Sequence, residues 1–295
     1  MDKIKILITG KGSFIGTCLI KWLKQSPHQY EIEELSVRGN DWEDFDFSQY
    51  NVVLHLAGIA HVSTDPGMEA EYYRINRDIA IKVAKKAKSN SVKQFILMSS
   101  IIVYGSAKKS DGFIDENSIP EPNNFYGNSK LQAEEGVRAL EDDDFKVAVL
   151  RPPMIYGRGS KGNYPVLAKF SRKLPLFPNI DNKRSMLHID NLCEFIKLIV
   201  DNQEQGLFFP QNREHVNTSQ MVLMIAQAHS KNIKLTKAFN PFIANKLVFK
   251  IGLVNKVFGN LAYNLKMSKY KNDYQIRSLR ESIILTETID GKGKE

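Results

Sequence analysis

The sequence predicts an α/β fold built on a doubly wound parallel sheet, followed by a smaller C-terminal lobe. Apolar runs of strand length, Ile4–Ile8, Val52–Ala60, Gln94–Met98 and Phe145–Leu150, recur between longer stretches of helical spacing, as a parallel sheet covered on both faces requires. The first of these runs enters a glycine-rich turn and leaves it in a helix. At 295 residues the chain can bury a large core and is long for one simple domain, which leaves room for the lobe.

In order, Lys3-Ile4-Lys5-Ile6-Leu7-Ile8-Thr9-Gly10 alternates and then turns apolar, as a parallel strand entering a turn should. Gly10, Lys11, Gly12, Ser13, Phe14, Ile15 and Gly16 form the turn, and Leu19, Ile20 and Leu23 carry the helix. A strand, a glycine turn and a helix in that order aim backbone N–H groups and the positive helix end at a pyrophosphate, while the glycines let it approach. We read this as a Rossmann-type dinucleotide site, the alternative being a tight turn with incidental glycines. Residues 30–38 form a second strand through Ile32, Leu35 and Val37, ending at Arg38. An acidic residue near this place would bind the adenosine ribose, whereas arginine accommodates a 2′-phosphate. Arg38 with Lys11 therefore points to NADP(H); Glu33 or Glu34 in that position would point to NAD(H).

Asn51–Gly58 is the next buried strand, and a helix follows from about Glu69 to Lys88. Gln94–Met98 is another strand, carrying Ser99 and Ser100 at its C-terminal end. Ligands of open α/β sheets gather at the carboxyl ends of strands, so Gly10, Ala57, Gly58 and Ser100 should border one crevice. A turn-rich loop, Asp115–Asn124, delivers Tyr126 to the start of a helix, and Lys130 lies one turn further along the same face. A phenol that shuttles a proton near neutral pH needs its ordinary pKa of about 10 drawn down, which a fixed cation does. A serine hydroxyl opposite could hold the oxygen of a carbonyl or alcohol. Phe145–Leu150 is one more buried strand, closed by Arg151-Pro152-Pro153.

Hydrophobic residues make up 42% of the chain and charged residues 25%, ordinary values for a soluble globular protein. No apolar run approaches the roughly 20 residues of a membrane helix. The N-terminus goes directly into a strand without a secretory h-region, so we assign the cytoplasm. Cys18 and Cys193 read as buried small hydrophobes, and no metal site is expected. The net charge of +8 is concentrated from Lys231 onward, where 13 Lys or Arg face 5 Asp or Glu. A solvated basic face is the plain reading; attraction of a polyanionic small substrate and contact with an acidic membrane surface are the sharper ones. No nucleic-acid motif accompanies the charge, and nucleic acid is not expected as a partner.

With these motifs in place, the chain resembles the extended short-chain dehydrogenase/reductases, the nucleotide-sugar epimerase/dehydratase family. Thr9, Gly10 and Gly16 match the family's T-G-x-x-G-x-x-G, although Ser13 stands at the central glycine and Gly12 one place early. Val52–Gly58 resembles the strand ending H-L-A-A, Asn76 the asparagine of the following helix, and Ser99–Gly105 the motif S-S-x-x-V-Y-G. The resemblance implies Ser100, Tyr126 and Lys130 as the catalytic set. It implies that Leu56, Ala57, Gly58, Asn76, Ser99 and Pro153 join the glycine turn, Arg38, Tyr126 and Lys130 around the dinucleotide. Ser100, Tyr126, Met154, Asn163 and Arg184 would contact a UDP-sugar, with Arg184, in a stretch similar to R-D-F-I-H-V-D-D, clamping the diphosphate. The alternative for Arg184 is a surface salt bridge, and His188 reads as structural.

Two departures select among activities. Dehydratases carry an acidic pair where this chain has Ile101 and Ile102, and 4-epimerases an asparagine where it has Met154. The chain looks most like the reductases of UDP-4-keto-6-deoxy-N-acetylhexosamines in capsular polysaccharide synthesis, sharing Val149–Gly157 and Leu174-Pro175. That implies an NADPH-dependent 4-keto reductase, the alternatives being a UDP-sugar 4-epimerase with retained NAD and a non-catalytic dinucleotide sensor. Residues 1–160, with 186–212 returning, would form the dinucleotide domain, and 161–185 with 213–295 the substrate lobe. Apolar residues at helical spacing between Asn240 and Leu265 read as a helix packed into the lobe core, with membrane docking the alternative. Paired helices in the family imply a possible homodimer.

Overall fold

The computed structural model describes residues 2–59, 65–105, 112–238, 240–243 and 257–288. In chain order the elements are β1 (Ile4–Thr9), α1 (Phe14–Leu23), β2 (Tyr30–Leu35), β3 (Val52–His55), α2 (Glu69–Tyr72), a π-helical segment (Tyr73–Ile79), α3 (Ala80–Ser89), β4 (Gln94–Met98), β5 (Phe113–Ile114), α4 (Phe125–Arg138) and β6 (Lys146–Leu150). Then come β7 (Met154–Tyr156), α5 (Asn163–Lys173), β8 (Leu176–Pro178), β9 (Met186–His188), α6 (Ile189–Asp201), β10 (Gly206–Phe208), α7 (Thr218–Ala228), β11 (Lys234–Thr236), α8 (Asn240–Ile243), β12 (Ala262–Tyr263) and α9 (Leu279–Glu287).

Because successive side chains of a strand point to opposite faces, one apolar strand can feed two cores. Ile6 and Ile8 of β1 pack with Leu54, Ile96 and Leu150 against Leu19 of α1 and Leu192, Ile196 and Ile199 of α6. Leu7 lies on the other face with Val53, Phe95, Leu97 and Val149, against Val83 and Ala87 of α3 and Ala133 and Val137 of α4. Each fully buried aliphatic side chain contributes about 1.5–3 kcal/mol, so both faces are needed to hold the sheet. The result is a six-stranded parallel sheet in the order β10-β6-β4-β3-β1-β2. The strand order reverses between β1 and β3, and the C-terminal ends of β1, β3, β4 and β6 open on one edge.

Residues after β6 that do not join the sheet or α6 build a third core. Tyr156, Tyr164, Leu167, Phe177, Met221, Ile225 and Ile283 draw β7, α5, β8, α7 and α9 together. β7 pairs with β9, and β8 with β11, in two-stranded parallel ladders.

Several boundaries differ from those read in the sequence. The second strand stops at Leu35, whose carbonyl accepts from both Gly10 and Lys11 N–H and so ties the strand end to the glycine turn. The helix expected from Glu69 to Lys88 is one helical stretch interrupted by the π segment. Of the amphipathic stretch Asn240–Leu265, residues 244–256 lie outside the described residues.

Two histidines are buried in this framework. His55 Nδ1 shares a 2.8 Å hydrogen bond with the Thr9 hydroxyl, Nε2 has no partner, and burial pulls the imidazole down to about 3. His188 caps α6 by accepting from Asp190 N–H at 3.3 Å, and burial brings it to about 4. The unfolded chain therefore binds these two protons first, and stability must rise with pH across the window between the folded values and the ordinary histidine value of 6.5. Full stability is expected above that window, with a loss of about 1.4 kcal/mol per pH unit per histidine as pH falls through it. Urea unfolding at about pH 7 and about pH 5 checks this; an unchanged midpoint contradicts it.

Candidate active site

Tyr126 sits in the first turn of α4, where Asn124 caps the helix by accepting from Gly127 N–H at 2.8 Å. Helix geometry puts Lys130 one turn further on the same face, and both side chains are buried. Ser100 leaves β4 in extended conformation and starts a short 3₁₀ turn, Ile101–Tyr104, its hydroxyl accepting from Ile102 N–H at 3.3 Å. The Ser100 hydroxyl lies beside the Tyr126 phenol and draws its pKa down. Lys130 Nζ donates to the Met98 carbonyl at 3.0 Å, one residue before Ser99. Ser100, Tyr126 and Lys130 are thus brought together at the tip of β4.

Burial sets the protonation of this group. It pushes the Tyr126 phenol up to about 12, against the lowering influence of the nearby Ser100 hydroxyl and with a further push from Tyr72. It pulls the Lys130 ammonium down to about 8, against the attraction of Glu134. The sequence led us to expect Lys130 to draw the phenol down. The reverse holds, because desolvation outweighs the influence of Ser100 and the ammonium is turned to the Met98 carbonyl.

Gly58 and Asn76 border the same spot. A Cβ at Gly58 would meet Asn76 Oδ1 at 2.8 Å and Lys130 Nζ at 3.2 Å. Asn76 lies in the π segment and is saturated: Oδ1 accepts from Ile59 N–H at 2.8 Å, while Nδ2 donates to the Ile59 carbonyl and the Ser129 hydroxyl. The extra residue of the π turn swings this side chain toward α4, where Asn128 also donates to the Tyr73 hydroxyl at 2.7 Å.

The glycine turn is built by the residues that depart from the family pattern. Gly12 adopts φ +73°, a conformation that side chains resist, with open space above it. Ser13 is extended at φ −66° and caps α1, its hydroxyl accepting from Gly16 N–H at 3.2 Å, so a serine suits the position of the missing glycine. Gly10 must be glycine, because a Cβ there would lie 2.8 Å from Ala57 N; this packs the turn against the segment after β3 that also holds Leu56. The N–H groups of Phe14 and Ile15 in the first turn of α1 have no acceptor among the described residues, so the turn fits an anionic group. Lys11 and Arg38 are exposed beside it. Glu34, an acidic residue the sequence left open, accepts from Gly12 N–H at 2.9 Å.

Arg184, Met154 and Asn163 gather at a second place, lining one small cavity with Met186, Thr218 and Met221. Arg184 Nη1 donates to the Gly259 carbonyl at 2.7 Å, no carboxylate pairs with it among the described residues, and burial brings it down to about 10. The surface salt bridge considered for it is absent among those residues. Met154 joins the two places, following Pro152 and Pro153; the Pro152 carbonyl accepts from Ile101 N–H at 2.9 Å.

Sequence reasoning missed the support behind the site. Glu134 and Arg151 form a buried ion pair at 2.6 Å, Arg151 Nη1 donates to the Tyr104 hydroxyl at 2.8 Å, and the Ser99 hydroxyl donates to Glu134. Ser99 therefore turns its side chain away from the crevice. The available signals were the four-residue step from Lys130 to Glu134 and a lone arginine closing an apolar strand.

A parallel sheet with an anion-receiving glycine turn, joined at a strand tip to a Ser/Tyr/Lys group whose tyrosine and lysine are buried, defines a dinucleotide-dependent oxidoreductase. The family model described as the NAD dependent epimerase/dehydratase family matches residues 6–217, and the chain belongs to that family. Over 300 residues it is 30% identical to a UDP-glucose 4-epimerase of Vibrio cholerae, covering 90% of this chain and 88% of that one. It is 25% identical to a GDP-6-deoxy-D-mannose reductase of Pseudomonas aeruginosa, covering 70% and 73%. The fold matches the crystal structure of the human epimerase family protein SDR39U1 with NADPH at a TM-score of 0.77, with 15% identity and coverage of 97% and 100%. No helix among the described residues is long and apolar enough to cross a membrane.

A methyl group at Gly58 meets both Asn76 Oδ1 and Lys130 Nζ, so Gly58→Ala must displace Asn76 from its three hydrogen bonds and shift Lys130 with it. A displacement of this kind is expected to cost about tenfold or more in kcat while the fold survives. Steady-state kinetics with a melting curve checks it, and a fully active variant refutes the placement.

Proposed function

We propose that the protein is an NADPH-dependent reductase that converts the 4-keto group of a UDP-linked 6-deoxy-N-acetylhexosamine to an alcohol, in the cytoplasm, for surface polysaccharide synthesis. The observation that carries this reading is Tyr126 and Lys130, buried on one face of α4 beside Ser100 at the tip of β4, in a site whose adjoining positions are Ile101 and Ile102; burial favours the protonated phenol. A reductase needs its tyrosine to start protonated, because the carbonyl oxygen takes up a proton as its carbon takes up hydride. Two isoleucines supply no carboxyl group to pull a proton from carbon or expel water, which disfavours dehydration.

The glycine turn would hold NADPH, which would supply the hydride. Tyr126 gives its proton to the carbonyl oxygen, and Ser100 donates to the same oxygen and orients it. Lys130 holds the nicotinamide ribose and steadies the phenolate left behind, aided by the positive end of α4. Lys11 and Arg38, neither in an ion pair among the described residues, suit a 2′-phosphate. Arg184, a buried cation with no carboxylate, suits the diphosphate, beside Met154 and Asn163. On this reading 1–160 with 186–212 hold the dinucleotide, and 161–185 with 213–295 the sugar.

A second reading, a UDP-sugar 4-epimerase with retained NAD, is supported by the Glu34 carboxylate at the glycine turn and by the 30% identity to an epimerase. The two separate in one experiment. Purified protein is given NADPH and a UDP-4-keto-6-deoxy-N-acetylhexosamine while nicotinamide absorbance is followed. Stoichiometric NADPH loss supports the reductase; co-purifying NAD with 4-epimerisation in the absence of added cofactor overturns it. Tyr126→Phe is expected to lose about 10²–10⁴-fold in kcat and to keep dinucleotide affinity, and an unimpaired variant defeats the mechanism. Arg184→Met should raise KM for the nucleotide sugar about 10- to 100-fold, the worth of a hydrogen bond to a charged group, with little change in dinucleotide affinity.

A further inference from the structure

We propose that Glu134 is a positioning residue for the Ser100/Tyr126/Lys130 group: fixed by Arg151 and Ser99, it is the counter-charge that keeps Lys130 an ammonium at the floor of the crevice. The proposal rests on the role given to Lys130 above.

Glu134 follows Lys130 by one turn of α4, so the two side chains share a face. Its carboxylate cannot swing away. Arg151 Nε donates to Oε1 at 3.1 Å and to Oε2 at 3.0 Å, Nη2 donates to Oε2 at 2.6 Å, and the Ser99 hydroxyl donates to Oε1. Arg151 is itself held by the Tyr104 hydroxyl at 2.8 Å, and its carbonyl accepts from the Tyr263 hydroxyl at 2.9 Å. With side chains only 1% and 5% exposed, Glu134 and Arg151 are shielded from solvent screening.

The charges do not cancel. Lys130 and Arg151 are two buried cations and Glu134 is one carboxylate, so a single net positive charge remains beside Tyr126. Burial works against that charge, and Glu134 is what opposes it. The other titratable groups nearby give Lys130 no help: His55 on β3 is neutral, Tyr126 on its own helix keeps its proton, and Tyr104 and Tyr263 are neutral phenols turned to Arg151. The same carboxylate holds Ser99, whose neighbour is Ser100, so one residue sets both the lysine's charge and the strand tip's place.

The test reads Lys130 directly, with no sugar present. The Cε resonance of Lys130 is assigned in protein labelled with ¹³C-lysine by its loss in Lys130→Arg, then titrated. In Glu134→Gln the midpoint should fall by about one pH unit or more, as removal of an adjacent opposite charge does, with Glu134→Asp between that and the native value. The alkaline limb of the kcat profile should move down by the same amount. An unchanged Lys130 midpoint in Glu134→Gln overturns the proposal. Should that variant fail to fold because Arg151 is left uncompensated, Glu134→Gln/Arg151→Met removes both charges. Arg151→Met alone supplies the reference for the lost cation: a Lys130 midpoint lower in the double variant than in Arg151→Met supports the proposal, and equal midpoints overturn it. The failure of the reductase reading would appear separately, as a native enzyme inert toward the keto sugar with its Lys130 titration still governed by Glu134.

Discussion

Burial of one face of α4 against the tips of β3 and β4 is the constraint on which the rest of the site depends. Tyr126 and Lys130 lie on that face, and loss of water acts on them in opposite senses: the phenol holds its proton, and the ammonium tends to lose its own. A solvated pair of the same residues would behave as two ordinary surface groups. Here the surroundings supply specific partners in place of water, a serine hydroxyl for the phenol and a strand-end carbonyl for the ammonium.

That burial follows from the sheet. Alternation along β1, β3, β4 and β6 gives each strand two apolar faces, and the crossover from β2 to β3 places helices on both. The parallel register brings Gly10, Gly58 and Ser100 to one edge, because each follows the C-terminal end of its strand by a few residues. The close approach of Gly10 to Ala57 and of Gly58 to Asn76 leaves no gap for a side chain there. The chain returns after β9, and α6 closes the face opposite α4.

Much of this was legible in the sequence because it depends on neighbours along the chain. The glycine turn, the serines at a strand end and the four-residue step from Tyr126 to Lys130 are local patterns with local physical causes. What escaped reading depends on contacts between distant residues. Glu134 meets Arg151 only because α4 lies across the end of β6, and Glu34 reaches Gly12 only because β2 stops at Leu35. The π segment was hidden because a helix with one extra residue in a turn keeps nearly the same apolar spacing. The protonation of Tyr126 was misjudged for a related reason. Spacing can place a cation near a phenol, but the depth at which both are buried decides which influence prevails.

The departures from the family pattern are locally consistent with the fold. Ser13 gives up the freedom of glycine and returns a helix cap, while Gly12, one position earlier, takes the left-handed conformation. Ile101, buried, and Ile102, half-buried, bring apolar surface to the turn that follows Ser100. Burial of the phenol itself favours its protonated form. On the proposed reading, that turns a shared scaffold toward proton donation: Tyr126 is left to supply the proton, and a carbonyl is the functional group whose reduction consumes one.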